Sequence, residues 1–126
     1  MKQEEFNEQF RRRTKQLALD IIKMVSSIPY SDALGVIRKQ LIKASTSMAA
    51  NFRASCRARS DQELFSKLCI VVEETDETVF WLEMLVDGDF ISAEEVAPMS
   101  KEALEILYVM SAYRKKIGSK IKQPHH

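Results

Sequence analysis

Apolar side chains recur through the first thirty residues at steps of three and four: Phe6, Phe10, Leu17, Ile21, Met24 and Ile28. That is the repeat of one α-helical face. "SSIPYSD" closes the helix, because a proline ring pushes the residue before it, Ile28, out of the α region. Ser31 is placed to N-cap the next helix. A second stripe follows through Leu34, Ile37, Leu41, Ala44, Met48 and Phe52. "SDQE" reads as a capping box, Ser60 with Glu63, opening a third helix. Its inward face is Leu64, Leu68, Val71, Thr75, Val79, Leu82 and Leu85, and Gly88 in "VDGDF" ends it. "SAEE", Ser92 with Glu95, opens a fourth helix running through Leu104, Leu107, Val109 and Tyr113 to Gly118. Pro98 has no amide hydrogen, so it must kink this helix or make it restart near Ser100.

Four helices joined by connections of a few residues predict an all-α, up-down-up-down bundle over residues 1–118, with a frayed tail at 119–126. Three glycines and three prolines in 126 residues agree with long uninterrupted helices, since turn-rich sheets need both. Ala44 to Ser47, with Ala49 and Ala50, form a small-residue run that lets a neighbouring helix approach closely. No strict heptad is sustained, which argues against a coiled-coil dimer. Apolar content of 45% and charged content of 29% are those of a soluble domain. No apolar run nears the roughly 18–20 residues needed to cross a bilayer, and no signal peptide opens the chain. A cytoplasmic protein with reduced thiols is expected, since Cys56 and Cys69 lack metal-type spacing. The terminal His125 and His126 read as a tag remnant.

The formal net charge of +1 conceals a segregation. Residues 38–60 carry six basic groups and no acid, residues 61–105 carry thirteen acids against Lys67 and Lys101, and residues 106–126 carry five basic groups and no acid. In an up-down-up-down bundle three basic clusters then converge on one pole: Arg11, Arg12, Arg13 and Lys15; Arg53, Arg57 and Arg59; and Arg114, Lys115 and Lys116, followed by Lys120 and Lys122. Asp32, Asp87, Asp89, Glu94 and Glu95 go to the other. Cations at helix C-termini are favoured by about 0.3–1 kcal/mol each, which accounts for the second and fourth helices. It does not account for arginines near the start of the first. Two readings therefore stand together: a solvated, dipole-complementing surface, or a contact for a polyanion or an acidic partner. Phosphate binding there would be of the backbone type and salt-sensitive.

A second basic stripe climbs helix 2 through Lys39, Lys43, Thr46, Ala50, Arg53 and Arg57, while Glu63, Glu74, Glu77 and Trp81 lie near one face of helix 3. One copy's helix 2 could meet another's helix 3 head to tail, a contact that closes into a ring if the rotation permits. Trp81 is the candidate anchor there or a plain core residue, and the charges could equally pair within one chain. Catalytic chemistry is sparse. "EETDE" invites a carboxylate-bridged dimetal site, but such a site needs Glu-x-x-His pairs and the chain has no internal histidine. The same gap removes histidine-based nucleophile pairs and zinc sites, and no glycine-rich phosphate loop is present. Cys56 sits among arginines that would lower its pKa, but without a resolving partner. No enzyme, metal or cofactor is expected.

Ser47-Met48-Ala49-Ala50-Asn51-Phe52-Arg53-Ala54-Ser55, then Ser60 and Glu63-Leu64, with Glu77 further on, resembles a bacterial family. Its members are four-helix-bundle proteins encoded within intervening sequences of 23S rRNA genes, related to the accessory variability protein of diversity-generating retroelements. The family pattern is approximately S-I-x-x-N-I-A-E-G-x-x-R-x-S-x-x-E-F. Here its Glu-Gly pair is Ala54-Ser55, and its arginine position is Ala58, flanked by Arg57 and Arg59. The resemblance spans roughly residues 6–118. It implies a homopentameric ring and, from the retroelement relatives, binding of nucleic acid and of a reverse transcriptase through basic surface. Asn51 is then structural, its amide bridging buried backbone or a carboxylate such as Glu77. The expectation is a non-enzymatic, ring-forming bundle that binds RNA or single-stranded DNA through its basic pole. The alternatives are an adaptor for an acidic protein and a self-assembling protein with no external ligand.

Overall fold

In the computed structural model, which describes residues 1–121, four α-helices follow one another: α1 (Gln3–Ser26), α2 (Asp32–Ser55), α3 (Asp61–Asp87) and α4 (Ala93–Ile121). Each packs on its neighbours in sequence, α1 on α2, α2 on α3 and α3 on α4, and α1 meets α4 along a thinner seam. This is the all-α bundle that the periodicity predicts.

Serine side chains fix the starts of α2, α3 and α4, whereas α1 begins after Lys2 without a side-chain cap. Ser31 Oγ accepts the Leu34 amide at 3.1 Å and Ser60 Oγ accepts that of Glu63 at 3.1 Å. At the start of α4, Ser92 Oγ accepts the Glu95 amide at 3.2 Å and donates to Glu95 Oε1 at 3.2 Å. Glu63 does not close the reciprocal half of its box; its Oε2 accepts from Arg59 Nε at 3.4 Å instead.

The end of α3 differs from the expected glycine turn. Phe90 donates to the Leu85 carbonyl and Asp89 to that of Val86, each at 3.0 Å, the two bonds of a Schellman motif. The left-handed residue is Asp89, at φ 60°, whereas Gly88 has φ −84°. Gly88 is needed for space: a Cβ there would lie 2.7 Å from the Phe90 ring and 3.0 Å from the Met84 carbonyl oxygen. Pro98 lies inside α4, which neither stops nor restarts at Ser100. The proline sits in the second turn, where Glu94, whose carbonyl loses its partner, is exposed to water. Beyond Gly118 the helix continues to Ile121. The rest of the expected tail, residues 122–126 with Lys122, His125 and His126, lies outside the described residues.

The buried hydrophobic residues include all six stripe positions of α2, with Phe10, Leu17, Ile21 and Val25 from α1 and Leu68, Val71, Leu82 and Leu85 from α3. On α4 the inward face is Val96, Ala103, Ile106, Met110 and Ile117, not the expected set. Leu104 is 53% exposed, and Leu107 and Val109 pack only at the flanks. Residues 104 and 109 lie about 140° apart around a helix axis, so they cannot share a face, whereas 103, 106, 110 and 117 keep the helical step. The buried hydroxyls of Thr14 and Thr75 bond back to the carbonyls of Phe10 and Val71, at 2.7 and 2.6 Å. Gly118 lets α3 and α4 close up, since a Cβ there would come within 2.8 Å of the Phe65 ring.

Asp89 carries a Cβ into left-handed backbone and a negative charge at a helix C-terminus, both unfavourable. Asp89→Gly is expected to raise stability by about 0.5–1 kcal/mol, measured as a higher urea midpoint at unchanged slope.

Candidate functional site

Four aromatic rings fasten one end of the bundle. Phe6 and Phe10 of α1 lie 4.8 Å apart between centroids with their planes tilted by 40°, and both meet the fully buried Phe52 of α2 edge-on, at 6.4 and 6.3 Å. Phe6 also meets Tyr113 of α4 at 5.2 Å. The cluster holds the first turns of α1 beside the last turns of α2, and the charged residues interleaved with the rings follow them into register.

The result is an open groove of about 740 Å³ between α1 and α2, lined by Arg11, Arg12, Lys15, Arg53 and Arg57, with Glu8 and the small side chains of Ala49 and Ala50. Five cations face one carboxylate. Arg11 also lies 3.6 Å from the exposed Glu4. The groove joins residues 40 positions apart in sequence, and it runs along the α1–α2 edge rather than across the pole. Arg59 is outside it, 88% exposed at the side chain and paired with Glu63, at the lip of a second cleft lined by Cys56, Ser60, Asp61 and Tyr113. Lys116 lines a third depression with Met1, Gln3 and Phe6, next to the exposed Lys115; Arg114 is half-buried nearby. The three basic clusters thus share one end of the molecule but not one surface.

Arg13 is a correction. Its guanidinium reaches α4, donating to Glu102 through Nε at 2.9 Å and through Nη2 at 2.6 Å, and Nη2 also lies 2.9 Å from Glu105. Its plane covers the Phe10 ring at 4.8 Å. The bond to Glu102, helped by Glu105, raises the guanidinium pKa further above its already high value. Arg13 therefore closes the thin α1–α4 seam and offers no charge to a ligand. Glu102 and Glu105 are not among the residues that the sequence marks out; the signal for them is their i, i+3 spacing on the helix that must lie beside α1.

Glu74, a candidate for the contact between copies, is half-buried. It lies on the side of its own α2, near Ser47 and Lys43, and burial pushes its carboxyl up from the usual range despite those two neighbours. Lys39 and Glu77 remain exposed, and Trp81 is half-buried against the core with Phe80 at 4.9 Å, edge to face. Asn51 donates to the Ser47 carbonyl at 2.9 Å and to Ser47 Oγ at 3.1 Å, so its partner is its own helix rather than Glu77. Burial pushes the Cys56 thiol up, outweighing the neighbouring Arg11 guanidinium, the reverse of the activation the arginines suggested.

Fold and site define an all-helical bundle with an open cationic groove on one edge. Residues 7–112 match the family model described as 23S rRNA-intervening sequence protein, and the chain belongs to that family. It is also similar to a crystal structure of a protein of unknown function from the S23 ribosomal protein family of Bacteroides thetaiotaomicron, with 25% identity and a TM-score of 0.79, covering 86% of this chain and 97% of that one. No curated protein matches the sequence. No helix among the described residues is long and apolar enough to cross a membrane.

Charge-assisted bidentate bonds are worth about 1.5–3 kcal/mol, less where a partner is half-exposed. Arg13→Met is expected to cost about 1–2 kcal/mol in chemical denaturation. Glu74 acts in the opposite sense to a salt-bridged acid. Its folded pKa is raised, so the folded state holds the proton more tightly than the unfolded chain, and stability is lost as pH rises through the folded value. Glu74→Gln keeps the size and polarity of the side chain and removes that loss. It is expected to be more stable than the wild type at pH 7, with the difference vanishing below about pH 4.

Proposed function

We propose that this chain is a non-catalytic, self-associating helical bundle that binds RNA or single-stranded DNA along the α1–α2 groove. The observation that carries the reading is the convergence of Arg11, Arg12, Lys15, Arg53 and Arg57 on one open channel, with Glu8 the one acid in its lining and Glu4 at 3.6 Å from Arg11 beside it. An alanine floor lets a sugar-phosphate backbone approach the helices, and guanidinium forks suit phosphate oxygens. An open, cation-lined groove suits a strand rather than a small metabolite, which prefers an enclosed and mostly apolar site. The groove supplies cations and one carboxylate but no nucleophile, which supports a binding role over catalysis. Assembly into a ring of five is the family's implication, and its members' ring edges would present several such grooves to one strand.

Each phosphate neutralised on a single strand contributes about −0.7 to the slope of log affinity against log salt. A mobility-shift titration with a short single-stranded oligonucleotide is expected to show retention at low salt that fades steeply as salt rises. Arg53→Glu with Arg57→Glu should weaken it at least about tenfold and flatten the slope by more than about one. Arg13→Met should leave it unchanged. Absence of retention at low salt, or equal binding by the Arg53/Arg57 variant, would sink the reading.

A further inference from the structure

The outward side of α3 is unlike a solvated helix face. Ile70, Phe80 and Met84 are 36%, 48% and 38% exposed and lie on one stripe with the exposed Glu73 and Glu77. Residues 68–87 contain no base. Antiparallel α4, held in register by Phe65 against Gly118, adds Leu104 and Tyr108 to the same side, 53% and 78% exposed. Large apolar groups grouped in this way mark a contact surface rather than the scattered exposure normal on a monomer.

The same chain carries the complement. The outward side of α1 presents Arg12, Lys15 and Lys23, all exposed, around Leu19, which is 41% exposed. Arg12 to Lys23 and Glu73 to Met84 each run eleven residues, about 16 Å of helix. Neither Glu73 and Glu77 nor Arg12, Lys15 and Lys23 enter an ion pair within the chain, among the described residues. In the bundle α1 and α3 are diagonal and make no mutual contact of note, so these two faces cannot satisfy each other within one copy.

We infer that the outer face of α3 is the docking surface for the outer face of α1 of a second copy, with Leu19 set among Ile70, Phe80 and Met84 and the lysines and Arg12 against Glu73 and Glu77. The inference rests on the self-association proposed above and replaces the α2–α3 pairing that the sequence suggested. Because the two faces differ, the contact is heterologous and continues from copy to copy until it closes. Ion pairs at its rim set the pairing and register, and the apolar strip supplies the buried area.

A charge swap tests it. Light scattering of the wild type at micromolar concentration is expected to give a mass several times 14.5 kDa. Glu73→Lys/Glu77→Lys and Arg12→Glu/Lys15→Glu should each be monomeric when alone, with wild-type helicity, because each then opposes like charges. Mixed in equal amounts they should associate into species several times 14.5 kDa, since every contact between the two variants joins opposite charges; strict alternation closes only even-numbered rings, so a ring of five is not expected from the mixture. Glu73→Lys/Glu77→Lys should keep its affinity for the oligonucleotide per chain at low salt to within a few-fold, as it leaves the groove intact. Wild-type assembly that persists in both variants would overturn this interface and leave self-association standing. A monomeric wild type would overturn both. Variants that both stay monomeric on mixing would also overturn the interface, showing that the substitutions act on something other than this charge pairing.

Discussion

Phe52 sets the register between α1 and α2 on which the cationic groove depends. It is wholly buried at the end of α2, with Phe6 and Phe10 of α1 edge-on against it and Tyr113 of α4 beyond Phe6. Edge-on aromatic pairs contribute about 0.5–1.5 kcal/mol each beyond their buried area and have a preferred geometry. They therefore do more than fill space: they set how far α1 slides along α2. One helical turn of slip would move Arg11 and Arg12 about 5 Å from Arg53 and Arg57 and divide the groove. The cationic channel is thus a consequence of apolar packing beneath it. Its mutual repulsion is tolerated because the rings and the α2 stripe hold the register.

The α1–α4 seam needs a different solution. It is the thinnest contact between neighbouring helices, and its apolar contribution comes mainly from half-buried groups such as Phe6, Val109 and Tyr113. Arg13 compensates with a fork onto Glu102 and Glu105. At that depth the pair is only partly desolvated, so it keeps more of its Coulombic gain than a fully buried pair does. Gln3 adds a hydrogen bond to Tyr113 at 3.2 Å. Polar fastening on this side and aromatic fastening on the other make α1 the helix held by the most mixed means.

Legibility followed the same division. The α2 stripe was readable in full because all six residues repeat the helical step and all are large or methyl-bearing. The caps at Ser31, Ser60 and Ser92 were readable because they are local. The α4 face was not: Leu104 is more apolar than Ala103, yet Ala103 is the residue in phase with Ile106 and Met110. Choosing by hydrophobicity where phase decides gave the wrong face. The left-handed Asp89 was obscured by the adjacent glycine, whose necessity is a matter of space against Phe90. Of the candidate site, the convergence of residues near 11 and near 53 followed from topology alone. The destination of each arginine did not, because it depends on what the neighbouring helix presents.

Arg11-Arg12-Arg13 makes that last point physical. Consecutive residues on a helix point about 100° apart, so three in a row sweep through roughly 200° and cannot serve one surface. Arg11 turns to α2 and joins Arg53 and Arg57, Arg13 turns to α4 and its carboxylates, and Arg12 is left pointing outward. Arg12 and Lys15 therefore stand at the boundary between the groove and the outer face of α1. A ligand in the groove and a copy docked on that face would draw on the same two charges, while Arg11, Arg53 and Arg57 belong to the groove alone. The affinities of the two partners are then coupled with a sign set at this boundary. Competition for Arg12 and Lys15 makes the coupling negative unless an assembled neighbour brings its own cations to the same strand, in which case the ring would hold the strand better than the single bundle.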